Sequence, residues 1–166
     1  VDQRIAHSLQ YFPWFLRSVS PPEGTDITLA NTWNGFAFRR RGIKLVTVEH
    51  LFVLDPALKG YRSFSQRVFH NTLVRHFEKA SMHASNVQVA VSEYTATAHR
   101  SVLKGPKPQV ILNGIDTDFF TPKEGGKEPL GQRPFRLLFV GNLTRRKGID
   151  LIPQIMGELE AGFELE

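Results

Sequence analysis

Phe135-Arg-Leu-Leu-Phe-Val-Gly-Asn-Leu-Thr-Arg-Arg-Lys-Gly-Ile-Asp150 sets the apolar run Leu137 to Val140 directly before a basic, glycine-containing turn. The pattern predicts a buried strand feeding a turn that opens a helix. Helix N-termini present unpaired N–H groups and a partial positive charge, and Arg145, Arg146 and Lys147 add full charges at that point. The turn is therefore a candidate phosphate site. It is not a Walker loop, which needs two glycines followed by Lys and Ser/Thr. A solvated basic face is the plainer alternative for any charge run.

Working outward, Ile27 to Ala30, Lys44 to Val48, Val87 to Val91 and Val110 to Leu112 are further short runs rich in Val, Ile and Leu, separated by helix-like stretches. This alternation predicts an α/β fold with a parallel, Rossmann-like sheet, doubly wound so that helices cover both faces. Ligand sites in that class lie at the carboxyl ends of the strands. A long helix is predicted from about Phe64 to Met82, capped by Ser63 with Gln66, burying Phe64, Val68, Phe69, Leu73, Phe77 and Ala80 and turning Arg67, Asn71, Arg75 and Glu78 outward. A second begins after Ser92 and stops at Gly105-Pro106. Asn113-Gly114 reads as a turn whose following Asp116 and Asp118 satisfy backbone N–H groups. Residues 122–134, dense in Pro, Gly and charge, read as a linker between a first domain, 1–121, and the start of a second, 135–166.

The 166 residues suffice for one good core, and no apolar stretch reaches membrane-spanning length. No leader segment is legible, and both ends read as cuts: the chain begins at Val1, not Met, and Gly162 to Glu166 starts a new strand. With no cysteine, disulfides and thiolate metal sites are excluded, which fits a reducing compartment. The formal charge of +5 is concentrated between Gly35 and Lys79, where nine Lys/Arg face three acidic residues and Phe36, Phe38, Phe52, Phe64, Phe69 and Phe77 interleave. Such a block suits either an anionic membrane surface or RNA, or else a core-facing aromatic stripe with a solvated basic face. No Gly-x-Ser-x-Gly elbow is present, and the six histidines show no zinc-type spacing.

Three blocks in order, Val87-Gln-Val-Ala-Val-Ser-Glu-Tyr-Thr-Ala96, Val110-Ile-Leu-Asn-Gly-Ile-Asp-Thr-Asp-Phe-Phe-Thr-Pro122 and Phe139-Val-Gly-Asn-Leu-Thr-Arg-Arg-Lys-Gly-Ile-Asp150, resemble the centre of a family 4 glycosyltransferase of the GT-B class. Thr25 to Trp33 and Lys44 to His50 are similar to earlier strands of that family, so the resemblance runs from about residue 26 to 164. It implies the later part of an acceptor-side domain joined to the start of a nucleotide-sugar domain. The implied reaction is retaining transfer of a hexose from a nucleotide-diphosphate sugar to a glycan or lipid-linked acceptor, with no metal or other cofactor. The implied setting is cell-envelope or polysaccharide synthesis in the cytoplasm, at or near an anionic membrane face, without nucleic acid.

The resemblance also assigns residues. His50, at the end of its strand, matches a histidine near the donor sugar and is the candidate catalytic residue. Lys147 matches the lysine that neutralises the departing diphosphate, with Gly141, Gly148, Arg145 and Arg146 around it. Asn142 occupies the position of the family's arginine, so the second cation falls to Arg145 or Arg146. Asn31, Trp33 and Asn34 are candidates for the acceptor side of the cleft, whereas Asn113, Gly114 and Asp116 fit an interdomain hinge. Glu49 and Ser92 are read as structural. The family's paired glutamates of the second domain have no counterpart here, so this chain by itself is expected to be inactive. The competing reading is a non-catalytic binding module acting through residues 35–79.

Overall fold

A computed structural model describes residues 12–121, 135–159 and 162–165. The chain divides into two compact units between Gly114 and Ile115. The expected linker, 122–134, lies outside the described residues.

The first unit is built on four parallel strands in the order β1 (Ile27–Asn31), β2 (Lys44–Glu49), β3 (Val87–Ala90) and β4 (Gln109–Val110). A short helix, α1 (Pro13–Leu16), precedes β1. A 3-10 turn, Gly35–Phe38, connects β1 to β2, and a second, Pro56–Tyr61, leads into α2 (Phe64–Phe69), a π-helical segment (His70–Val74) and α3 (Arg75–Ala84) before β3. α4 (Glu93–Leu103) connects β3 to β4. Strands in sequential order with right-handed crossovers put their connections on one side of the sheet.

Register identifies that side. Thr28 pairs with Leu45, Ala30 with Thr47, Thr47 with Gln88 and Glu49 with Ala90, so these residues share a face. On it Leu45, Thr47, Glu49 and Ala90 are buried. Thr47 meets Ser85, 2.8 Å between hydroxyls, and a side chain at Gly35 would run into the Thr47 methyl, which explains the glycine where the 3-10 turn crosses β2. The other face carries Ile27 and Leu29, 59% and 70% exposed. The expectation of helices on both faces is therefore corrected for the described residues: one face is covered, and β2 alternates in burial as a half-covered strand does.

The long predicted helix is present in three parts. Ser63 and Gln66 form the expected capping box, but the π segment adds a residue to one turn and rotates everything beyond it by roughly 100° relative to an unbroken α-helix. The buried positions are Val74, Glu78 and Ser81, while Phe64, Val68 and Phe69, ahead of the π segment, and Leu73 within it stay on the surface. Glu78, expected outside, is 1% exposed. In α4 the Ser92 hydroxyl accepts from the Thr95 N–H as anticipated. The helix closes on Lys104 in the left-handed conformation (φ 61°), just before the expected stop at Gly105-Pro106, and Gly105 lies against the Met82 sulfur with no room for a side chain. Phe52, Leu54 and Leu103, with Met82, Ala98 and Val102 against them, form an apolar cluster beside the sheet.

The second unit pairs β5 (Phe135–Leu137) in parallel with β6 (Phe163–Leu165), the latter where a new strand was expected. The Phe135 and Phe163 rings stack at 5.2 Å. Between the strands lie a 3-10 turn, Arg145–Lys147, and α5 (Ile152–Glu158). The predicted strand Leu137 to Val140 is thus displaced: β5 ends at Leu137, and Leu138 and Val140 are 71% and 81% exposed. Two three-residue strands offer no layer wide enough to bury them.

Candidate functional site

The carboxyl ends of β1 and β2 open into a pocket of about 310 Å³, within the range of small-ligand sites. Asn31, Thr32 and Trp33 approach it from β1, Val48, Glu49, His50, Leu51 and Val53 from β2, and Phe69, His70, Val74 and Glu78 from the helical connection. Three of the residues singled out in the sequence, His50, Asn31 and Trp33, therefore meet here, where the fold class places ligands. Asn34 does not line it; it is buried ahead of the Gly35–Phe38 turn, its carbonyl accepting from the Ala37 N–H at 3.0 Å. His50 is exposed at the pocket.

Beneath His50 the pocket has an acidic floor that sequence reasoning treated as structural or solvent-facing. The Thr32 hydroxyl sits between two buried carboxyls, 2.7 Å from Glu49 Oε2 and 3.3 Å from Glu78 Oε1. Burial pushes the Glu49 carboxyl up to about 7, against the lowering effect of its Thr32 and Leu51 hydrogen bonds. Glu78 is raised well above its ordinary range, first by burial and then by the neighbouring charge of Glu49. The two neighbouring carboxyls therefore ionise less readily than isolated ones. His99 of α4, fully buried, stands against the Phe52 ring at 5.3 Å, and burial lowers it to about 4, so it is neutral. His70, on the π segment, is also lowered, by burial and by the charge of Arg62. A π turn at a pocket is a familiar sign of a working site, but no residue pattern announced this one.

In the second unit, Arg145, Arg146 and Lys147 are all exposed. They lie in a 3-10 turn closed by Gly148 at φ 81°, and α5 begins only at Ile152, so the basic residues do not cap a helix as the sequence suggested. The Arg145 Nε donates to Asp150 Oδ2 at 3.3 Å, which spends part of its charge within the turn. Gly141 adopts φ 152°, open only to glycine, and Asn142 accepts through its carbonyl from the Thr144 N–H at 2.8 Å. Asn113 and Gly114 stand at the end of the first unit, and Asp116 Oδ1 accepts from the Asp118 and Phe119 N–H groups, each at 3.0 Å.

Much of the basic block proves to be internal fastening. Arg40 donates to the carbonyls of Arg17, Val19, Ala37 and Arg39; Arg39 to Ala84 and Asn86; Arg62 to Asp55; and Arg75 to Val102. Guanidinium forks used this way stitch loops to helices and are drawn away from external anions. Among the described residues no helix is long and apolar enough to cross a membrane.

A comparison with curated proteins finds no match. The family model described as Glycosyltransferase Family 4 matches residues 3–119, a span that takes in every residue of the pocket and well over half of the sequence. With the parallel Rossmann-like sheet and its strand-end pocket already in place, that match settles the lineage: the chain belongs to glycosyltransferase family 4.

Proposed function

We propose that this chain is part of a retaining hexosyltransferase that moves a sugar from a nucleotide diphosphate to a glycan or lipid-linked acceptor. The observation that carries the reading is the convergence of His50, Asn31 and Trp33 on one pocket at the strand ends of a family 4 domain. An aromatic ring and an amide offer a sugar a flat apolar contact and a bidentate hydrogen-bonding partner, and His50 is placed to meet the transferring ring. As the anomeric bond breaks, negative charge accumulates on the diphosphate, and the cations available in the second unit are Lys147 and Arg146, with Arg145 shared with Asp150. Gly141 and Gly148, both at positive φ, would let backbone N–H groups approach the phosphates, with Asn142 beside them.

The reaction takes place in the cytoplasm or at the inner face of a membrane, with no metal acting on the diphosphate. Transfer belongs to the intact parent protein, and this chain alone has no turnover. Saturation-transfer NMR with uridine and guanosine diphosphates tests the donor half: one of them gives signal with the wild type, and Lys147→Ala weakens it at least tenfold. Equal signal from wild type and variant removes Lys147 from the mechanism. The binding-module alternative is disfavoured by the carbonyl bonds that engage Arg39, Arg40, Arg62 and Arg75.

A further inference from the structure

The geometry points to a divalent-cation site beneath the pocket, formed by Glu49, Glu78 and His99, that takes a first-row transition ion such as Zn²⁺ or Mn²⁺. The three residues come from β2, α3 and α4, and one ligand atom from each lies within 4.8 Å of the other two. An ion held at about 2.1 Å by each donor requires separations of at most about 4.2 Å, so small side-chain rotations close the set.

One observation independent of the acidic pair favours a ligand, and a second comes from within the pair. Both ring nitrogens of His99 lack a hydrogen-bond partner although the side chain is fully buried, and Glu78 Oε2 is likewise buried and unpartnered. Orphaned buried polar atoms are costly, and those of His99 and Glu78 belong to one cluster. Two carboxylates would balance the charge of a divalent ion, and one imidazole beside them favours Zn²⁺ or Mn²⁺ over the oxygen-seeking Mg²⁺ and Ca²⁺. Thr32 supplies the outer support, its hydroxyl lying within hydrogen-bond distance of one oxygen of each carboxyl. Entry is through the pocket, which Glu49 and Glu78 line, and three protein donors leave positions for water. This ion is separate from the diphosphate chemistry, which the basic turn serves, so its failure leaves that reading intact.

The test uses the whole 166-residue chain, stripped with a chelator and titrated with Zn²⁺, Mn²⁺ and, as a spectroscopic probe, Co²⁺. One equivalent of Zn²⁺ is expected to survive desalting, Tm is expected to rise, and Co²⁺ is expected to give visible ligand-field absorption that Zn²⁺ displaces. Glu78→Gln and His99→Asn should each weaken binding at least tenfold, and His76→Ala, on an exposed helical turn, should leave it unchanged. The wild-type Co²⁺ spectrum decides the matter even if a core variant fails to fold. Retention of no ion with no change in Tm overturns the site, because the cluster is then satisfied by protons and water alone. Binding that Glu78→Gln and His99→Asn leave untouched overturns it equally.

Discussion

Thr32 shows how much one hydroxyl can organise. It is 2% exposed and its oxygen is shared by two carboxyls that would otherwise face each other without mediation. Thr32→Val keeps the shape and removes the donor, leaving Glu49 and Glu78 under-bonded; urea denaturation is expected to report a loss of about 1–3 kcal/mol. His50→Ala, by contrast, alters an exposed group and should change stability by less than about 0.5 kcal/mol. At this scale the sequence was a partial guide. His50 was singled out by its match to the family resemblance and Asn31, Trp33 and Asn34 by following an apolar run; of these, His50, Asn31 and Trp33 line the pocket and Asn34 does not. Glu49, Glu78 and His99 were not legible, since they stand far apart in the chain and only the parallel register and two crossovers bring them together.

The long helix is the largest misreading among the elements. A 3.6-residue period carried from Phe64 to Met82 buries aromatic residues and exposes Glu78, yet Phe64, Val68 and Phe69 are already exposed ahead of the π segment, so the helix packs on the face that carries Val74, Glu78 and Ser81 and not on its aromatic side. Capping, being local, was read correctly in both helices. Ser63 accepts from the Gln66 N–H at 3.2 Å on an exposed turn, and Ser92 from the Thr95 N–H at 3.1 Å in a partly buried one. Ser63→Ala and Ser92→Ala should each cost about 1 kcal/mol in denaturant titrations, the second more than the first because water replaces the lost bond less readily there. The basic turn failed as a helix start for a related reason: Gly148 in the left-handed region breaks the chain direction, and four residues separate Lys147 from α5.

For the molecule as a whole, the parallel Rossmann-like sheet of the first unit was legible from four apolar runs, the fifth having been misplaced in the second unit, whereas which face the helices cover depends on strand order, which no run of residues states. The buried acids also set a pH dependence. Glu49 and Glu78 are raised on folding, so the folded state binds more protons than the unfolded chain above the ordinary carboxyl range; their contribution is complete below about pH 4.5, that of Glu49 declines as pH rises through about 7, and that of Glu78 is likewise lost as pH rises. His99 is lowered, so its contribution is present above pH 6.5 and is lost as pH falls toward about 4. As the two raised carboxyls ionise, Tm in chelator should fall by roughly 5 °C between pH 6.5 and 8, with the slope flattened in Glu49→Gln. The account rests finally on the strand-end pocket being the place of sugar transfer. Turnover of the intact transferase carrying His50→Ala, followed by release of nucleoside diphosphate from a panel of uridine and guanosine diphosphate sugars, tests this most directly. A fall in kcat of at least about 100-fold with Tm unchanged is the expected result; turnover equal to the wild type would contradict it.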